Sequence, residues 1–188
     1  MNNSLENSPL YQKARKIQRL VDTIVDVIYE SELDFETEEE GNMIDESINY
    51  MVENSIIIPA KIAGAFSEDM LYDIKMENAA IIRKAARELI TDATSIEEFG
   101  FKDIEYLEIL RIEIDNFRVL FAEWVKTFDP WNYIIDRWGL FNPPGVNYDD
   151  YDPDEDLPFG SSDDEDFGED WKDDIDDETF DESDEDED

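Results

Sequence analysis

Residues 104–128 read IEYLEILRIEIDNFRVLFAEWVKTF, and this stretch decides the fold class. Its apolar residues Ile104, Leu107, Leu110, Ile114, Phe117, Phe121, Trp124 and Phe128 return every three or four positions. At 3.6 residues per turn, that spacing aligns them on one stripe of a helix, which has to be buried against something else. The same rhythm runs back through the chain. Leu71, Ile74, Asn78, Ile81, Ala85 and Leu89 mark a preceding helix, in which Ala79, Ala80, Ala85 and Ala86 are small enough to admit a close neighbour. Ile44, Ile48, Met51, Ser55, Ile58, Ile62 and Ala65 mark another. Pro59 falls inside it and predicts a kink or two abutting helices, because proline lacks the backbone donor and crowds the preceding turn. Ala14, Ile17, Val21, Ile24 and Ile28 mark the first, with Ser8 expected as N-cap and Pro9 at the first helical position.

Connections are expected at residues 30–40, 64–67 and 94–100, and no stretch of strict two-residue alternation suggests a strand. Four helices joined by short links make an all-α, up-down antiparallel four-helix bundle over residues 9–128, behind a flexible N-terminus of residues 1–8. Alternating three-four spacing favours shallow, coiled-coil-like crossing angles. Residues 129–147 are expected to hold a short fifth helix and turn packing on the bundle. Asp129 would be its N-cap, Pro130 its first residue and Gly139 its left-handed C-terminal cap. The aromatic cluster there (Trp131, Tyr133, Trp138, Leu140 and Phe141) reads first as closure of the bundle's open end and second as a set of interaction anchors.

Charge separates this body from the C-terminal fifth of the chain. The 188 residues carry a formal net charge of -38, and residues 149–188 hold 24 acids against the single Lys172. A segment with so few apolar groups and so much self-repulsion cannot offset the entropy of ordering its backbone, so residues 148–188 are expected to form a disordered acidic tail. Phe159, Phe167, Trp171 and Phe180 stand in it as isolated aromatics among carboxylates. Residues 151–159, YDPDEDLPF, are similar to the acidic tip of bacterial single-stranded-DNA-binding proteins, although Gly160 follows Phe159 where that tip ends.

The chain contains no cysteine and no histidine. Disulfides, thiolate chemistry and the commonest general base and transition-metal ligand are therefore excluded. Without histidine the Glu-x-x-His pair of carboxylate di-iron bundles is impossible. The alternating Asp150, Asp152, Asp154 and Asp156 begin like a calcium loop, but Leu157 and Asp163 occupy the places where glycine and glutamate are required. Acid pairs such as Glu105 and Glu108 read as a solvated helix face, with Arg111 and Arg118 neutralising neighbours. No phosphate-binding loop, cofactor motif, secretory signal or membrane-length apolar run is evident, which points to a cytoplasmic, non-enzymatic protein that needs no metal and no cofactor.

Two short patches carry a resemblance. Ile57-Ile58-Pro59-Ala60-Lys61-Ile62-Ala63-Gly64-Ala65 and Glu88-Leu89-Ile90-Thr91 resemble motifs in the second and third helices of the bacterial four-helix-bundle family named for a protein encoded in a 23S ribosomal RNA intervening sequence. Lys61, Gly64 and Ala65 stand where that family usually has Asn, Glu and Gly. The resemblance implies a four-helix bundle that assembles with itself, as a homo-oligomeric ring in some relatives. Other relatives are basic and bind nucleic acid, and the charge of this chain argues against that role.

Two basic clusters complete the candidate site. Lys13, Arg15, Lys16 and Arg19 share the first helix, and Arg83, Lys84 and Arg87 share the third. They could dock the acidic tail or another anion; the simpler expectation is pairing with acids on adjacent helices. Together these features predict an interaction scaffold whose acidic-aromatic tail engages basic protein surfaces. The alternative is a nucleic-acid-associated bundle in which the tail competes for the basic clusters.

Overall fold

Helix α1 (Pro9–Glu30) starts as its sequence dictates: Ser8 Oγ accepts a hydrogen bond from the Tyr11 amide and Pro9 takes the first helical position. The structure is a computed structural model that describes residues 4–31, 37–101 and 103–151. Helix α2 spans Glu38–Gly64, α3 spans Tyr72–Glu98 and α4 spans Ile104–Val125, and there is no strand among the described residues. The fold is an all-helical four-helix bundle. The N-terminal segment, expected to be flexible, holds local structure in its described part: Leu5–Asn7 forms a 3₁₀ turn and Leu5 packs against the core. Residues 148–151 are described as well, within or bordering the compact unit that runs to Asp150. The rest of the expected tail, residues 152–188, lies outside the described residues.

Each helix contributes one buried seam in three-four alternation. Leu10, Ala14, Ile17, Val21, Ile24 and Ile28 line α1, and Ile44, Ile48, Met51, Ser55, Ile58 and Ile62 line α2. Leu107, Leu110, Ile114 and Phe117 line α4, whereas Ile104, expected to open that seam, is exposed. Helix α2 is one continuous helix through Pro59, which is itself buried. Helix α1 packs on α2 and α4, and α3 packs on the same two, so α1 and α3 face each other across the diagonal. Two contacts fix α3 and α4 as antiparallel. Glu97 near the end of α3 pairs with Arg111 near the start of α4 at 2.6 Å, and the amide of Tyr72, at the start of α3, donates to the carbonyl of Asn132 beyond α4 at 2.7 Å.

Helix α3 departs from expectation in phase and in length. Its buried seam is Lys75, Ala79, Ile82, Ala86, Leu89, Ala93 and Ile96, with Ala85 and Asp92 beside it; Leu71, Ile74, Asn78 and Ile81 are not in it. The Ile81-Ile82 doublet leaves the phase open, and the alanine positions settle it because α2 packs most extensively on this face. Residues 94–98, expected as a connection, are helical. Thr94 and Ser95 donate their hydroxyls back to the carbonyls of Ile90 and Thr91, and Ile96 is buried. The helix stops one turn later. Gly100 adopts φ +92, its amide donates to Glu97 O, and the amide of Phe101 donates to Ile96 O, the paired bonds of a Schellman cap.

No fifth helix forms among residues 129–147. Asp129, expected as its N-cap, and Asp136 hydrogen-bond to the backbone in competing turns. Asp129 Oδ1 accepts from the Trp131 amide two residues on, and Asp136 accepts from the amides of Trp138, Leu140 and Phe141. Gly139 is left-handed as expected, φ +73, but it serves this turn rather than a helix end.

Candidate functional site

The segment after α4 is tied to the bundle by its backbone and its buried apolar residues. Asn132 Nδ2 donates to the carbonyls of Asp69 and Met70 in the α2–α3 connection, in addition to the Tyr72 bond. Phe128 and Ile135 are buried, and the Lys75 ammonium sits 5.8 Å from the centre of the Phe128 ring while donating to Glu68 O at 3.1 Å. Phe128 and Ile135 are thus buried in this segment, whereas the residues expected to close the bundle's end are at most half-buried. Trp131 is 87% exposed, Trp138 91% and Leu140 75%, whereas Tyr133 and Phe141 are half-buried.

Each tryptophan sits in a turn fixed by an aspartate: Asp129 accepts from the Trp131 amide, and Asp136 from that of Trp138. Asp136 collects backbone amides from residues 138, 140 and 141 at 2.8–2.9 Å, and these bonds, Phe141 first, hold its pKa below the ordinary carboxylate value. Asn142 clasps the same turn, accepting from the Asp136 amide at 2.7 Å and donating to its carbonyl at 2.9 Å. Arg137 donates to the carbonyls of Tyr148 and Asp150, which ties down the chain leading to the acidic region. Asp73, Glu77, Ile135, Asp136, Arg137, Trp138, Leu140 and Phe141 line an open cleft of about 450 Å³. Apart from Arg137, its charged lining is acidic.

The basic clusters do not form one patch. They sit on α1 and α3, on the diagonal of the bundle. Lys13 and Lys16 both engage Glu113 of α4, at 2.8 and 2.9 Å, and these bonds, that from Lys13 first, depress the Glu113 pKa although its carboxylate is buried. Arg15 bonds Gln18, and Lys84 pairs with Glu88 at 3.5 Å. Arg19, Arg83 and Arg87 are exposed. Lys13 and Lys16 therefore clip α1 to α4, as the simpler expectation held. Arg111 likewise links Glu97 of α3 and Glu108, and Arg118 pairs with Asp115. The tail aromatics Phe159, Phe167, Trp171 and Phe180 lie outside the described residues.

Two polar core residues were not singled out from the sequence. Asn54 of α2 is 6% exposed and Asp92 of α3 is 9% exposed. They meet in a groove of about 340 Å³ between α2 and α3, lined also by Tyr50, Glu53, Ile57, Lys84 and Glu88. Burial pushes the Asp92 carboxyl up to about 6; the hydrogen bond with Asn54 opposes this, and the nearby Glu88 charge adds to it. Its Oδ2 is buried and has no hydrogen-bond partner among the described residues. The available signal in the sequence was a polar residue at the edge of each apolar seam, beside Ser55 and Ala93.

Among the described residues no three acidic side chains converge to hold a metal ion, and no helix is long and apolar enough to cross a membrane. Comparison of the chain with known protein families, with curated proteins and with solved structures finds no match.

Proposed function

We propose that this protein is a non-enzymatic interaction scaffold, an up-down four-helix body whose acidic and aromatic C-terminal region engages basic protein surfaces in the cytoplasm. The observation that carries the reading is the outward display of two tryptophans, Trp131 in the turn capped by Asp129 and Trp138 on the turn pinned by Asp136 beside Asp73 and Glu77. Tryptophan supplies large contact area at low entropic cost and stacks well with arginine and lysine. Carboxylates around it steer a basic partner to the encounter, and residues 149–188 extend that acidic field. The kinship suggested by residues 57–65 and 88–91 fits an assembly role, not a catalytic one.

The test pairs the full chain with two variants, W131A/W138A and a deletion of residues 149–188, titrated with lysine- and arginine-rich peptides. Expected is salt-sensitive binding that weakens in both variants. Equal affinity in all three proteins would remove the proposal.

Self-association is a second reading, favoured by one feature. Ile109, Ile112 and Val119 lie on a second stripe of α4, 46%, 57% and 52% exposed. Mass measurement in solution, with Ile112→Glu as the disrupting variant, tests it: a monomeric parent at high salt, where repulsion is screened, would refute it. Nucleic-acid association is the weaker alternative. Engagement of Lys13 and Lys16 by Glu113 leaves Arg83, Lys84 and Arg87 as the main cluster it could use.

A further inference from the structure

We infer that the open cleft beside Trp138 is the docking site for an arginine side chain of a protein partner, its guanidinium lying on the indole with an edge turned to Glu77. The inference rests on the scaffold reading above and narrows it to one place and one kind of residue.

The surface is apolar before it is acidic. Trp138 is 91% exposed, Leu140 75% and Tyr148 60%. Gly139, between the first two, holds φ +73, and a Cβ built on it would lie 3.5–3.9 Å from Cβ, Cδ1 and Cγ of Tyr148. The three side chains therefore gather round one glycine. Large apolar groups grouped and exposed in this way mark a surface that a partner covers. The backbone beneath them is already fixed by Asp136 and Asn142, so docking orders little that is not ordered beforehand.

Charge selects the occupant. Four charged residues line the cleft, and two of them are engaged within the chain. Asp136 accepts backbone amides at both of its oxygens, and Arg137 donates to the carbonyls of Tyr148 and Asp150. Asp73 and Glu77 stand one turn apart on α3, so they share a face, and neither forms an ion pair among the described residues. Glu77 is exposed and open to a partner's donor; Asp73, half-buried, adds its charge to the same wall. An anion is repelled from such a cleft on a chain of net charge -38.

Among cations the lining favours a guanidinium. It is planar and weakly hydrated, it stacks on an indole, and its fork of N–H donors meets a carboxylate at two points. A lysine ammonium is compact and strongly hydrated, and loses more water in a cleft whose remaining walls are Ile135, Leu140 and Phe141. The aliphatic stem of arginine packs on Leu140 while its head stays at the acidic wall. A volume of about 450 Å³ accepts that side chain together with its neighbours in a peptide.

The experiment titrates the full chain at physiological salt with an end-capped pentapeptide bearing a central arginine, and with its lysine and norleucine counterparts. Fluorescence anisotropy of labelled peptides gives affinity, and the indole N–H resonance of Trp138, assigned by its loss in Trp138→Phe, reports the place. Expected is a shift of that resonance by the arginine peptide and affinity at least about fivefold above that of the lysine peptide. Binding should weaken about tenfold in Trp138→Ala and at least about threefold in Glu77→Gln, both at exposed positions that leave the fold intact. Diffuse condensation on the acidic chain would lose only one of 53 acidic residues in Glu77→Gln and would hardly change. Equal affinity for arginine and lysine, an unmoved Trp138, or affinity unchanged in both variants overturns the inference. If lysine- and arginine-rich peptides still bind in a salt-sensitive way under that outcome, the scaffold reading stands without the arginine site; if no basic peptide binds, both fall.

Discussion

Replacing Asp92 by asparagine should stabilise the protein at alkaline pH and leave it nearly unchanged at acid pH. The side chain is 9% exposed, and burial raises its pKa from an ordinary 3.8 to about 6. A raised pKa means that the folded state holds the proton more tightly than the unfolded one. The stability linked to that proton is fully present below the unfolded value of 3.8 and is lost as the pH rises through about 6. The full span is about 3 kcal/mol, from 1.36 kcal/mol per pKa unit. Between pH 5 and pH 8 the same linkage gives about 1.4 kcal/mol, because the folded carboxyl is about nine-tenths protonated at the lower pH and ionised at the upper. Asparagine has nearly the same shape and does not titrate in this range. The assay is urea unfolding of parent and variant, followed by circular dichroism, at pH 5, 6, 7 and 8. Global self-repulsion also grows with pH, but it acts on both proteins and cancels in their difference. The advantage of the variant should grow by about 1.4 kcal/mol across the series. Parallel stability profiles would refute the assignment of a buried, proton-holding Asp92.

Three further outcomes test other parts of the structure. Glu113→Gln removes the charge that clips Lys13 and Lys16 of α1 to α4, and should lower unfolding free energy by about 1–3 kcal/mol in denaturant titrations. Because its pKa is depressed, the contribution of Glu113 is present above the ordinary carboxylate range and disappears as the pH falls through its lowered folded value, so parent and variant should converge in acid. Phe117→Ala empties a core site that is 2% exposed and should cost about 3–5 kcal/mol by the same titration. Asp136→Ala releases the amides of residues 138, 140 and 141, so hydrogen exchange there should accelerate while α1–α4 keep their protection.

The sequence determined the helices, because a helix has to bury its apolar stripe and that stripe is written at three-four spacing. The seams of α1 and α2 and most of that of α4 lie where periodicity puts them, and Ser8 and Pro9 start α1 as their chemistry requires. The acidic excess of residues 149–188 and the exclusion of histidine and cysteine chemistry follow from composition alone. Tertiary structure decided the rest. The phase of α3 depends on alanines whose burial comes from the neighbour they admit, not from their own hydrophobicity. The segment after α4 carries the cap and proline signals of a helix. Asp129 and Asp136 nevertheless hydrogen-bond local turns, while Phe128 and Asn132 find partners far away in sequence. Which aromatics are buried and which face outward was settled by those distant contacts together with the local turns at Asp129 and Asp136. An aspartate at the edge of a seam reads as solvent-facing until a second helix covers it. Asp92 became a buried, half-satisfied carboxyl only because α2 packs over it and brings Asn54 to its side.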